Sequence, residues 1–487
     1  MTAEATAARA DGATLAEERP SEDRTAVVLV HGMREKRPLD KLDGFVKTAL
    51  HPHDAQGAQQ WRYYPRPAVI TETYEARCFA SAQADFYDYH WSFLMTANKF
   101  AGVMPMTLRL FLRRPSNVPD ALLGIWRRVW TVLLAILLTI PALFVTGYAL
   151  NTDVPVWIIG LITSAVVLVF WFGLYRMVAN ALVNSTTTSL VDVARYLDTT
   201  PYSYAARRAI RGGLVDLLHA LHDGRYSRIV VVAHGVGTYI TYDALNAFWA
   251  EPHKLHAGPP LNSLEEAADR LIADGDKDGA LDDFQNLQFA LWQVLRRHGN
   301  PWRITDFVTV GAPMSLADQL VTRPGLSSGL KKSDGVRRRE LFDGLVRRGV
   351  LVQCPPRSET QPVEGTDQTR VSYGWHERDA REVLGSQSPF VVTRWTNLWF
   401  PVIRGSLKGD WFGGELRSLF GAGIRDIEIS GNRPDRFKRG SAHNEYFRHP
   451  DKGDQGDFAW HLRETLALQT HVVHSDEVCS ALGVTRD

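Results

Sequence analysis

The stretch RIVVVAHGVGTYITYDAL, residues 228–245, decides the fold. Behind Arg228 it opens as an unbroken apolar run rich in β-branched residues, the pattern of a strand buried on both faces of a parallel sheet. His234-Gly235-Val236-Gly237 then turns the chain sharply, with glycine supplying the backbone freedom. The residues that follow suit a helix. A buried strand, a tight turn and a helix imply an α/β protein.

The same signature recurs upstream, where AVVLV (residues 26–30) runs directly into His31-Gly32-Met33. Residues 76–79 predict another strand, and the aromatic DFYDYHWSF (residues 85–93) a loop. AARRAIRGGLVDLLHAL (residues 205–221) has helical spacing, weakened at its start by Gly212 and Gly213.

The composition of the 487 residues is bland: 55 Lys and Arg against 54 Asp and Glu give a net charge of +1. That argues against a nucleic-acid binder relying on a strong overall positive field. With 45% hydrophobic residues a sizeable core is available, and global disorder is excluded. Three scattered cysteines, Cys78, Cys354 and Cys479, support neither a disulfide framework nor a zinc site and fit a reducing compartment.

The mean hydropathy of −0.18 hides a break mid-chain. Residues 129–150 (VWTVLLAILLTIPALFVTGYAL) and 154–175 (VPVWIIGLITSAVVLVFWFGLY) carry no charge, and each is long enough to cross a bilayer core as a helix. Aromatic residues near their ends suit the interfaces, and only Asn151-Thr152-Asp153 separates them, so they read as a transmembrane hairpin. Arg109, Arg113, Arg114, Arg127 and Arg128 precede the first span and Arg176 follows the second. The positive-inside rule then places the connector outside and both the N- and C-terminal portions in the cytoplasm, at the inner membrane. Residues 1–24 are Ala-, Glu- and Arg-rich, a poor signal peptide and an expected disordered tail.

These motifs together resemble the α/β-hydrolase family, specifically bacterial lipase- and esterase-like members. VVLVHGM looks like the strand and turn carrying an oxyanion-hole amide, and VVVAHGVGTYITYDAL like the nucleophile elbow, normally G-H-S-x-G. ITDFVTVGAPMSLADQL (residues 304–320) is similar to the next strand and turn. RWTNLWFP (394–401), KGDWFGGEL (408–416) and SAHNEYF (441–447) resemble the last strands and the loops of the acid and the base. The resemblance implies an α/β-hydrolase fold, a mostly parallel sheet flanked by helices, interrupted by the two-helix hairpin. Residues 25–125 and 179–487 would form one hydrolase domain around the hairpin at 126–178. It implies Asp410 as acid, His443 as base, and the backbone N–H groups of Met33 and Val236 as oxyanion hole. His31 and His234 would pack beneath the site.

The chain departs from the family at the elbow, where Gly235 stands at the nucleophile position with no side chain to attack an acyl carbon. Thr238 falls inside the following helix, and no cysteine lies near the turn. Three functions remain open. The first is a pseudo-hydrolase binding an acyl-type ligand or a protein partner, as neuroligin-type adhesion proteins of this family carry glycine here. The second is the inactive form of a serine esterase or lipase acting at the membrane. The third is an enzyme in which His443 and Asp410 activate water directly. No motif asks for a nucleotide, metal or organic cofactor.

Three further stretches stand outside this frame. Residues 251–302 predict a helical cap over the cleft, interrupted by DGDKDG. Asp274, Asp276, Asp278 and Gly279 match the first half of a calcium loop, but Gln285 replaces its closing glutamate, so the stretch reads as a solvated turn. Residues 321–360 read as a basic loop with Lys331, Lys332, Arg337 to Arg339, Arg347 and Arg348, a solvated insertion or a face for anionic lipid. His51-Pro52-His53-Asp54 reads as a polar loop.

Overall fold

A computed structural model describes residues 24–32, 39–50, 63–95, 112–149, 193–198, 200–224, 226–250, 261–322, 329–356, 360–362, 369–371, 373–376, 382–385, 389–402, 409–429, 442–447 and 457–468, with isolated positions between 155 and 168. The main elements in chain order are β1 (Thr25–Val30), α1 (Asp40–Leu50), β2 (Tyr63–Ile70), β3 (Glu75–Ser81), β4 (Ala84–His90) and α2 (Asp120–Ala149). They continue with α3 (Pro201–Asp223), β5 (Arg228–His234), α4 (Gly237–Trp249), α5 (Asn262–Asp274), α6 (Ala280–Arg297) and β6 (Ile304–Val310). The last are α7 (Asp334–Arg347), β7 (Arg394–Trp399), β8 (Ile424–Glu428) and α8 (Phe458–Leu466).

The eight strands form one sheet in the order β8-β7-β6-β5-β1-β4-β3-β2. From β8 through β4 every neighbouring pair is parallel, and β3 and β2 close the far edge antiparallel. Continuous apolar runs suit the central strands because both faces are covered. Val27, Leu29, Val230 and Val232 point to the face packed by Leu42, Phe45 and Val46 of α1 and Phe458 and Leu462 of α8. Val28, Val30, Ile229 and Val231 point to the other, covered by Leu214 and Leu217 of α3, Ile240 and Phe248 of α4, and the α5–α6 pair. The α/β architecture expected from residues 228–245 is therefore present.

The structure corrects several local expectations. The aromatic stretch is a loop only after His90; before it, β4 lies between β1 and β3, alternating Phe86 toward one core and Tyr87 and Tyr89 toward the other. Helix α3 runs through Gly212 and Gly213, and the Thr73 carbonyl and Tyr89 hydroxyl lie where a Gly213 side chain would be. In the stretch expected as a cap, α6 packs on the sheet. Phe284, Leu291 and Leu295 join the helical-face core, and Gln285 hydrogen-bonds to the Trp395 carbonyl at the start of β7, the end of the sheet remote from Gly235. In the turn between these helices, Asp276 accepts from the Leu281 N–H and pairs with Arg417. The basic region is a loop only in part: α7 buries Phe342 and Val346, and its Arg338 is buried against Asp334 and Asp318.

Helix α2 has 30 residues and begins well before the uncharged run, at Asp120. Its first turns bury Leu122 and Leu123 against the body, whereas Leu134, Leu137 and Leu138 are exposed. Among the described residues it is the one helix long and apolar enough to cross a membrane. The second expected span, residues 154–175, lies almost wholly outside the described residues, so one apolar helix is seen where a two-helix hairpin was expected.

Candidate functional site

Parallel strands that share a direction also share an end, and loops leaving their C-terminal edges converge there. Here β1 delivers His31 and Gly32, β5 delivers His234 through Gly237, and the loop after β7 delivers Asp410. His443 follows β8 in a single 3₁₀ turn, Ala442–Asn444.

Gly235 adopts φ +57°, the left-handed conformation that costs other residues strain. Its N–H donates to the Val310 carbonyl at 3.2 Å, tying the turn to the end of β6. Its carbonyl accepts from the Thr238 N–H and, at 2.7 Å, from the Thr238 hydroxyl. Thr238 is thus spent inside the turn, buried in the first turn of α4, and offers no substitute nucleophile. Gly237 allows the close approach that brings α4 against β1: a Cβ there would stand 2.1 Å from the Val30 carbonyl oxygen. Val236 is the residue from which α4 starts, where main-chain N–H groups lack intrahelical acceptors and the helix dipole favours negative charge. Met33, the other expected oxyanion donor, lies outside the described residues. The turn leading to it is held up to Gly32, whose carbonyl accepts from His31 Nδ1 at 2.6 Å and Lys41 Nζ at 2.9 Å.

The structure brings Asp410 and His443 together. His443 Nδ1 lies 3.1 and 3.0 Å from the two carboxylate oxygens. Asp410 is fully buried, and burial alone would push its carboxyl upward. The charge and hydrogen bond of His443, with donors from the Phe412 N–H and the Tyr446 hydroxyl, outweigh that and hold the carboxyl below its usual range. An ionised carboxylate only accepts, so Nδ1 donates to it and the other ring nitrogen, Nε2, points away from the acid. Nε2 faces Gly235: a Cβ built there would lie 3.0 Å from it. The ring is aimed at the place of the missing side chain.

Two contributors were not foreseen. Tyr446 donates to Asp410 Oδ2 at 2.8 Å and accepts from the Phe400 N–H at 2.9 Å, joining the acid to the end of β7. Burial and the adjoining Asp410 push its phenol far up, so it stays a donor. His234, expected only to pack beneath the site, donates from Nε2 to the His443 carbonyl at 2.9 Å and stacks on its ring with centroids 4.7 Å apart. Burial, then the neighbouring His443, press the His234 pKa far down, so it remains neutral. Both residues stand within three positions of a recognised motif residue, a spacing that carries no signal without the fold.

The arrangement can take a proton at Nε2 and stabilise the resulting imidazolium through Asp410, but it lacks a side-chain nucleophile. Among the described residues no group of His, Cys, Asp and Glu side chains is placed to hold a metal. Comparisons with protein-family models, curated proteins and solved structures return no match.

Proposed function

We propose that this chain is a membrane-tethered pseudo-hydrolase of the α/β-hydrolase type that binds an acyl-type ligand in a cleft whose nucleophile has been withheld. One observation carries the reading: the Asp410–His443 pair is hydrogen-bonded and aimed at Gly235, whose backbone has the conformation of a nucleophile turn. The chain order of elbow, acid and base supports the hydrolase type, as does their placement at the C-terminal edge of a mostly parallel sheet. The 30-residue helix, with Arg127 and Arg128 at the base of its uncharged run, supports a tether at the cytoplasmic face of the inner membrane, with residues 154–175 as the returning span.

The test uses the full chain in detergent with a fluorescent long-chain fatty acid, short- and long-chain p-nitrophenyl esters and a fluorophosphonate label. The unaltered chain binds the fatty acid without turnover or labelling, and Gly235→Ser gains both. A folded chain that binds no acyl ligand, and whose Gly235→Ser variant is neither labelled nor active, would sink the proposal. The bare Nε2 favours a second reading, in which His443 activates water; ester turnover by the unaltered chain, abolished by His443→Ala, would establish it instead.

A further inference from the structure

The apolar helix is not hung from a free linker. Three residues before α2 begins, Asn117 is buried and donates from Nδ2 to the Gly329 and Lys331 carbonyls at 3.1 and 2.8 Å. The Arg114 N–H donates to the Gly329 carbonyl at 3.2 Å, and Arg338 of α7 reaches the Asn117 carbonyl. Arg338 is itself buried and paired with Asp334 and Asp318. The segment from Gly329 into the first turn of α7 is therefore stapled to the root of α2.

What this segment presents outward is basic and apolar together. Leu330 is 55% exposed and Val336 64%, and Lys331, Lys332 and Arg337 beside them are exposed. Within the segment the acidic Asp334 is buried against Arg338, and Asp120 stands exposed at the start of α2. Along α2 the exposed Arg127 and Arg128 lead into the uncharged run that starts at Val129. At about 1.5 Å per residue, the helix start stands about 13 Å below that run. The headgroup layer takes up roughly 5–7 Å of this. The remainder is within about one Debye length and the reach of a lysine side chain.

We propose that the Gly329–Arg337 segment is a second membrane contact: a face that docks on anionic phospholipid headgroups, with Leu330 and Val336 entering the interface and Lys331, Lys332 and Arg337 drawing it there. This rests on α2 being membrane-inserted and adds a fixed posture of the body, set by lipid charge. The occupant follows from charge complementarity and from continuity with the inserted helix.

The experiment reconstitutes the full chain in phosphatidylcholine vesicles with or without admixed phosphatidylglycerol. An environment-sensitive fluorophore is attached at Val336→Cys or at Leu137→Cys in a Cys479→Ser background, Cys78 and Cys354 being buried. A lipid-borne quencher reports contact. The Leu137 label is quenched in both compositions, and the Val336 label only with phosphatidylglycerol. Replacing Lys331 and Lys332 by Gln lowers the docked-to-undocked ratio about fivefold per charge, about 25-fold together. Quenching at 137 without quenching at 336 in the anionic vesicles overturns the docking face and leaves the inserted helix standing. Absence of quenching at both positions overturns the membrane reading and the face with it.

Discussion

The turn at residues 234–237 contains two glycines that the structure uses for opposite reasons, and alanine substitution separates them. At Gly235 the constraint is conformational: φ is +57°, and the nearest atom to an added Cβ is the edge of a movable side chain, His443 Nε2 at 3.0 Å. Forcing an L-residue into that region costs about 1–2 kcal/mol. The more restricted unfolded chain returns about 0.4–1 kcal/mol. With a shift of a few tenths of an ångström in the imidazole, Gly235→Ala should lose about 1 kcal/mol. At Gly237 the constraint is space between backbones. The added Cβ would stand 2.1 Å from the Val30 carbonyl oxygen and 2.9 Å from its carbon, so α4 and β1 must part by about 1 Å. Overpacking against main chain costs about 3 kcal/mol or more. The better helix propensity of alanine returns only about 1 kcal/mol. Gly237→Ala should therefore lose at least ~2 kcal/mol. Denaturant unfolding of the full chain in detergent, followed by tryptophan fluorescence and compared at equal m-value, measures both. If position 237 accepts alanine more easily than 235, the account of the turn is wrong. The same arithmetic says that Gly235→Ser remains folded, so a silent variant would speak to chemistry and not to misfolding.

Tyr446→Phe strips a donor from buried Asp410 and an acceptor from the Phe400 N–H, and should cost about 2–3 kcal/mol in the same unfolding measurement. Asp306, on β6, is opposed by its burial, but Arg394 and Arg228 outweigh that and hold its carboxyl at about 2. A folded value below the unfolded ~3.9 gives stability that is present above about pH 4 and lost as pH falls toward 2. Asp306→Asn should therefore flatten the loss of stability between those pH values by about 2–3 kcal/mol; an unchanged slope would refute the assignment. Arg338→Met leaves Asp334 and Asp318 without their cation, a loss of about 3–5 kcal/mol, and releases the Asn117 carbonyl. Limited proteolysis should then cut faster in the segment preceding α2, and an unchanged cutting pattern would argue against the staple.

The central strands were legible in the sequence because a strand covered on both faces has to be apolar throughout, as AVVLV and IVVVA are. The glycine turns after those strands and the order of the Asp410 and His443 loops were legible in the sequence, and the structure brings Gly235, Asp410 and His443 to one edge of the sheet. Other elements hid for physical reasons. β2 carries Pro65, which an edge strand tolerates, and Pro67, which falls where its register with β3 slips between Arg66 and Val69, and its exposed pattern has no clean alternation. In α7 the buried stripe runs Asp334, Arg338, Phe342, Val346, so half of it is charged and helical periodicity in apolar residues is absent. Only the fold supplies Asp318 from another segment to make a buried arginine acceptable. The hydrogen-bonding roles of Tyr446 and His234 stayed hidden in the same way, since their partners arrive from distant loops.

The hydrogen bond from His234 to the carbonyl of His443 couples the turn to the imidazole. The residue just before Gly235 grips the main chain that carries the His443 ring, so turn and ring travel as one assembly whatever side chain stands between them. A substitution at Gly235 therefore changes what faces Nε2 without cutting the ring loose from the turn.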